Sequence, residues 1–311
     1  MLRHPHRLNT SLVASADIIK ESSLKLSQGY ARDQNMTTWI RGLAAVNWVS
    51  LVLAVRRPSK LRLFLGAIWR EYYEISELGL PGRHLLNSLF ENGRAVLDPN
   101  DRIVFPPILH GGGGTRTEEL MCLAAVAHVL KPECILEIGT FTGLTTALFV
   151  LNCPQARVIS LDLPPDDTMH RPGSIATDLT LIHTRKVGHY LDVLGLRDRY
   201  EQIYCDSFQF DPAPLADSVD LAFIDGGHHY ECVVNDTEKI ARMIRDSGVV
   251  LWHDYGGSGD FLPLRQYLEA LARGGAIYRI PATSLAWSLG KDLKQAVRAF
   301  RLATPGAKGT A

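Results

Sequence analysis

Cysteine is scarce and unpaired in this 311-residue chain: Cys122, Cys134, Cys153, Cys205 and Cys232 are scattered, with no C-x-x-C among them. An odd count without paired spacing argues against a disulfide framework or a zinc site and points to a reducing, cytoplasmic setting. An excess of charge of either sign is missing too, since 33 Lys and Arg balance 33 Asp and Glu. That removes the overall electrostatic reason for binding nucleic acid. The apolar stretch within Trp39 to Val55 falls short of the about 20 residues that cross a bilayer. Met1 to Thr10 carries Arg and His but is followed by no apolar h-region, so no signal peptide is expected. Neither G-x-x-x-x-G-K-[ST] nor G-x-G-x-x-G occurs, which excludes a P-loop and the dinucleotide fingerprint. Internal repeats and low-complexity segments are absent as well.

What is present centres on Ile135 to Gly143, Ile-Leu-Glu-Ile-Gly-Thr-Phe-Thr-Gly. It reads as a buried strand at 134–138 that breaks into a glycine turn and opens a helix at about Leu144. Such a turn lets backbone N–H groups approach a ligand at the positive end of a helix dipole. A second apolar run, Arg157 to Leu161, ends in Asp162, nineteen residues past Gly143. An acid at the tip of the second strand is where a doubly wound sheet holds a ribose, so the pair suggests a nucleoside ligand.

Further along, short apolar runs alternate with amphipathic stretches, the pattern of a mostly parallel sheet covered on both faces. Strands are expected at 134–138, 157–161, 201–205, 220–224, 248–252, 276–280 and 284–289. Helices are expected near 143–152, 177–194, 232–245, 262–273 and 291–302, and a capping box at Thr115 to Glu118 should start one more. The fold class is therefore α/β, a doubly wound, mostly parallel, seven-stranded sheet. Residues 1–104 read as a helical extension whose first 35 or so are weakly patterned, 105–290 as the main domain, and 291–311 as a terminal helix and tail. In the extension, Leu43 to Val55 reads either as a helix buried on the main domain or on a second copy, or as an interfacial helix with basic flanks.

Ligands of open parallel sheets sit outside the carboxyl ends of the strands. There this chain delivers Gly139, Asp162, Asp206-Ser207, Asp225-Gly-Gly-His228-His229, and His253-Asp254. Five successive strands each ending in such groups point to one shared site.

The stretch Glu137-Ile-Gly139-Thr140-Phe-Thr-Gly143 closely resembles the first motif of class I S-adenosylmethionine-dependent methyltransferases. The resemblance implies that the Gly139–Gly143 turn, with Thr140, faces the methionine half of S-adenosylmethionine and that Glu137 anchors either that loop or the amino-acid end of the cofactor. It implies further that Asp162 holds the ribose and Asp206-Ser207 the adenine amino group. Phe223-Ile-Asp225-Gly-Gly-His228-His229-Tyr-Glu231, with Asp236 and Val249 to Asp254, resembles the sugar and antibiotic O-methyltransferase subfamily, and more distantly the catechol type. By that likeness Asp225, also near the cofactor, and Asp254 would hold Mg2+ or another divalent cation. His253 beside them suits manganese or iron, or no metal at all. His228, then His229, would be the base that takes the acceptor's proton. The expected activity is methyl transfer to a hydroxyl of a small molecule or glycosyl-type acceptor. The alternative is a non-catalytic cofactor-binding scaffold, docking to a partner or membrane surface through the 43–55 helix.

Overall fold

Residues that alternate along a strand point to opposite faces of a sheet, so a parallel sheet needs a helical layer on each side to bury both sets. A computed structural model of the chain describes residues 79–91, 102–106, 114–165, 178–180, 182, 186–256 and 261–304, in which these layers are present. The expected helix at 43–55 lies outside the described residues. No helix among the described residues is long and apolar enough to cross a membrane.

The strands are β1 (Cys134–Ile138), β2 (Arg157–Asp162), β3 (Glu201–Tyr204), β4 (Val219–Ile224), β5 (Ile244–Trp252), β6 (Ile277–Arg279) and β7 (Ala286–Leu289). Their order in the sheet is β3-β2-β1-β4-β5-β7-β6, and β7 runs antiparallel to both of its neighbours. The order reverses between β1 and β4, which pair in parallel from Ile135↔Leu221 to Ile138↔Ile224. That reversal opens a crevice at the strand ends.

One face of the sheet presents Ile135, Val158, Leu221, Phe223, Val249 and Leu251 to helices α1 (Leu85–Glu91), α2 (Thr117–Leu130) and α3 (Leu144–Asn152). Phe149 of α3 meets Phe223 edge-on with ring centroids 6.2 Å apart. The other face presents Leu136, Ile138, Ile159, Leu161, Ala222, Ile224, Val250 and Trp252. Between α3 and β3 lies the short α4 (His189–Val193). Helices α5 (Tyr230–Met243), α6 (Leu262–Leu271) and α7 (Gly290–Ala303) cover the second face. Trp252, Trp287 and Tyr255 are fully buried in these layers. Residues 79–83 also join the sheet: Leu80 N–H donates to Tyr255 Oη at 2.9 Å, and Trp287 Nε1–H donates to the Arg83 carbonyl at 2.8 Å.

Three local expectations are corrected. The capping box sits one residue later than Thr115 to Glu118: Arg116 is the N-cap, and its N–H donates to Glu119 at 2.9 Å. The helix expected at 177–194 is interrupted: 178–180 and 182 are helical and so is α4, but Gly188 between them takes φ +70° and breaks the helical path. The strand expected at 248–252 starts at Ile244, where α5 passes into β5 without a loop and Ile244 pairs with Val219.

Candidate functional site

A cavity of about 320 Å³ opens at the carboxyl ends of β1, β2, β4 and β5, where the sheet order reverses. Of the residues singled out from the sequence, Gly139, Asp162, Asp206, Ser207 and Asp225 line it, as do His228, His229, His253 and Asp254. Glu137, Thr140 and Gly143 do not.

The glycine turn is shaped by close backbone approach. Gly139 has φ +100°, and a Cβ there would stand 2.0 Å from the Asp225 carbonyl oxygen, so a side chain would collide with the start of the β4 loop. Gly143, at φ +81°, caps α3, and a Cβ there would meet Leu191 at 2.6 Å. Asp162 closes the turn from the next strand. One carboxylate oxygen accepts the Phe141 N–H at 2.8 Å and the other accepts its own neighbour, Leu163 N–H, at 2.7 Å.

Of the two places expected for Glu137, it takes the one that anchors the loop. It is fully buried beneath the turn, where Ser160 Oγ (2.6 Å) and Thr146 Oγ1 both donate to its Oε2. Burial pushes its carboxyl up to about 8, against the pull of those two hydroxyls. Thr140 Oγ1 lies 2.7 Å from Ser160 Oγ and accepts from Gln202 Nε2 at 2.9 Å. Glu137 and Thr140 thus form a polar brace that couples β1, β2, β3 and α3.

On the far wall, Asp206 Oδ1 accepts the Phe208 N–H at 3.1 Å. The turn it starts is closed by Lys239, whose Nζ donates to the carbonyls of Ser207, Phe208 and Phe210 at 2.6 to 2.8 Å. Asp236 is buried, lines the cavity, and burial raises it to about 6 despite bonds from Ser207 and Asn235.

The polar end of the cavity is built by the loops after β4 and β5. The His253 N–H extends the sheet by donating to the Ile224 carbonyl at 3.0 Å, which sets His253 beside Asp225. Asp254 takes φ +61°, a conformation that aspartate tolerates better than most residues. His253 Nδ1 lies 3.0 Å from Asp225 Oδ1 and 3.1 Å from Asp254 Oδ2, yet it is off-axis to both and makes no hydrogen bond. One ligand atom from each of the three residues falls within 4.8 Å of the others. The second nitrogen, Nε2, lies 3.1 Å from Glu119 Oε2. Burial opposes charge on His253, but Asp225, Asp254 and Glu119 outweigh it and raise its pKa well above the usual value.

Glu119, from α2, is fully buried. Its Oε1 accepts from Arg116 Nε and Nη2 at 3.0 and 2.6 Å and from Ser284 N–H and Oγ at 2.7 Å each. Burial pushes its carboxyl up, but His253 and Arg116 outweigh it and hold Glu119 well below the usual carboxylate range.

His228, the residue expected as the base, stands between two acids. Its Nδ1 lies 2.6 Å from Asp178 Oδ1; its Nε2 lies 2.9 Å from Asp254 Oδ2 but, like His253 Nδ1, is off-axis and makes no hydrogen bond, while its ring stands edge-on to Phe261 at 4.8 Å. Burial lowers its pKa, but the two carboxylates outweigh it and raise it to about 10. That shift favours the charged form of the ring, which has no lone pair to accept a further proton. His229 lines the same cavity with Nε2 3.3 Å from Cys232 Sγ, and among the described residues no carboxylate pairs with it.

Sequence reasoning missed Glu119 and Asp178. Glu119 adjoins the expected capping box and could have been flagged as a helix-start acid, but nothing local ties it to His253. Asp178 sits outside any motif and reaches His228 across 50 residues of sequence.

Comparison with known proteins follows this geometry. Residues 136–255 match the family described as "Methyltransferase domain". No curated protein matches the chain. Among solved structures, cofactor-bound Rv0187 from MTB is similar at 20% identity over 58% of this chain and 84% of that one, with a TM-score of 0.46. The SAH-bound methyltransferase PaMTH1 from Podospora anserina is similar at 15% identity over 56% and 78%, TM-score 0.44. The O-methyltransferase TomG from Streptomyces achromogenes, in complex with SAM, is similar at 15% over 57% and 81%, TM-score 0.42. The stretch that matches a methyltransferase domain, 136 to 255, is the one that carries the glycine turn, the strand-end acids and the reversal of the sheet order.

Proposed function

We propose that the protein transfers the methyl group of S-adenosylmethionine to a hydroxyl of a small molecule, with a divalent cation held by Asp225, His253 and Asp254. The observation that carries this reading is the convergence of those three donors on one wall of the cavity that Gly139 and Asp162 also line. The residues fit a cation: two carboxylates supply hard oxygens, and a buried imidazole nitrogen faces both without a hydrogen bond.

When bound, the cation would acidify the acceptor hydroxyl and S-adenosylmethionine would give up its methyl group to that oxygen, leaving S-adenosylhomocysteine. The chain's own residues do the positioning. Asp162 receives the ribose hydroxyls at the tip of β2, and Asp206-Ser207 the adenine edge. The Gly139 backbone leaves room beside the turn, where a side chain would intrude. Leu163, Ile182 and Phe261 line the cavity and keep water from the reacting centre. His229 takes the acceptor's proton on its imidazole, since His228 already carries one between Asp178 and Asp254.

The test is transfer of labelled methyl from S-adenosylmethionine to a panel of catechols, phenols and sugars, with amines and thiols for comparison and with chelator in parallel. Label on hydroxyl acceptors, lost in chelator, is the expected result. Label confined to nitrogen or sulfur, or transfer untouched by chelator, would overturn the corresponding half of the proposal.

A further inference from the structure

We infer that Glu119 makes His253 a metal ligand, and that the resulting Asp225–His253–Asp254 face prefers a first-row transition dication such as Mn2+ over Mg2+. The inference rests on the cation site proposed above and deepens it.

Arg116 and Ser284 already donate to Glu119 Oε1, and Arg116 N–H donates to Oε2. A carboxylate so surrounded by donors has no proton to give. In the 3.1 Å contact with His253, the imidazole must therefore be the donor through Nε2–H. In the neutral ring this places the lone pair on Nδ1, the atom that faces Asp225 and Asp254. A carboxylate that fixes a histidine from behind in this way sets the ring's tautomer and raises its basicity as a ligand.

A protonated His253 making a plain ion pair with its two neighbours accounts less well for the geometry. One N–H would have to serve two oxygens at 3.0 and 3.1 Å, and it is aligned with neither. His253 is only 7% exposed, so water does not make up the deficit. A cation in front of Nδ1 satisfies all three groups at once.

The donor types then choose among cations. Mg2+ holds to oxygen ligands in near-octahedral geometry and gives up its waters reluctantly. An imidazole nitrogen between two carboxylates suits Mn2+, Fe2+ or Zn2+ better. Glu119 strengthens that nitrogen, so its loss weakens transition-metal binding more than magnesium binding.

The experiment uses the full chain, stripped of metal and dialysed against Mn2+ alone or Mg2+ alone, with bound metal measured by elemental analysis and no cofactor or acceptor present. The expected result is tighter retention of Mn2+ than of Mg2+ by the wild type. Glu119→Gln should weaken Mn2+ binding by about 10–100-fold while changing Mg2+ binding little. His253→Asn, which offers oxygen in place of nitrogen, should erase the preference even if Glu119→Gln fails to fold. Equal binding of both metals by the wild type, or a preference that survives His253→Asn, would overturn the inference while leaving the proposed cation site standing. Retention of neither metal would overturn the site as well.

Discussion

His228 and Asp178, 50 residues apart in sequence, are joined by two contacts. The imidazole Nδ1 lies 2.6 Å from one carboxylate oxygen, and the His228 backbone N–H donates to the other at 3.0 Å. With Asp254 at 2.9 Å from Nε2, the ring bridges two acids from separate loops. This charged bridge fixes the loop that carries Gly226, Gly227 and His229 along the cavity.

The bridge carries a pH dependence of known sign. His228 is raised from 6.5 to about 10, so its stabilising effect is fully present below about pH 6.5 and is lost as pH rises through about 10. Asp178→Asn keeps an acceptor but removes one charge, and should cost about 1–3 kcal/mol near neutral pH. Chemical denaturation from pH 6 to 10 measures both effects: the difference between wild type and variant should shrink toward high pH. A difference that grows with pH would contradict the charged bridge.

Glu137 should act with the same sign for a different reason. Burial raises it from 4.5 to about 8, so the folded protein holds a proton that the unfolded chain releases. Its contribution is full below about pH 4.5 and is lost as pH rises through about 8. Glu137→Gln cannot ionise and should flatten the stability profile across that window, at about 1.4 kcal/mol for each pKa unit removed. Melting temperatures of the two proteins at pH 5, 7 and 9 would show it, and parallel profiles would count against a protonated Glu137.

Gly139→Ala tests the turn itself. The new Cβ would sit 2.0 Å from the Asp225 carbonyl oxygen in a left-handed backbone conformation. We expect a loss of at least about 2 kcal/mol in stability and failure to bind S-adenosylhomocysteine. Thermal melting and calorimetric titration read these separately. A fully stable variant that binds normally would mean the approach of β1 to β4 is not required.

Asp162→Asn should leave the fold largely intact, because the amide oxygen still accepts one of the two backbone N–H bonds that Asp162 now takes. Binding of S-adenosylhomocysteine should fall by about tenfold, or ~1.4 kcal/mol, through loss of a charged acceptor for the ribose. NAD serves as the comparison ligand in the same titration. Unchanged affinity would remove Asp162 from the ribose site.

The strands were readable because short apolar runs bounded by polar residues have a period of their own, as in 134–138 and 220–224. Helix ends were less readable. Gly188 ends one helical pattern with a positive φ that composition around it does not announce. Ile244 starts a strand directly from a helix because Val219 offers a partner across the sheet. The candidate site was partly readable by the same logic: a strand end in a parallel sheet is a fixed place, so Asp162, Asp225 and Asp254 could be put on one edge before any coordinates existed. The place of Glu137 stayed open because an acid beside a glycine turn looks the same in sequence whether it points to the crevice or under it. The pleat sends it under, to Ser160 and Thr146.

The sequence alone therefore determined the α/β architecture, the glycine turn, and the strand-end acids and histidines, since each is written in spacing over fewer than about twenty residues. Tertiary structure decided what those groups can do. Glu119 meets His253 across 134 positions and Asp178 meets His228 across 50, and these contacts set the electrostatic surroundings of the two imidazoles. No local pattern records such pairings, because burial and the electrostatics of a charged group depend on what the rest of the chain packs around it.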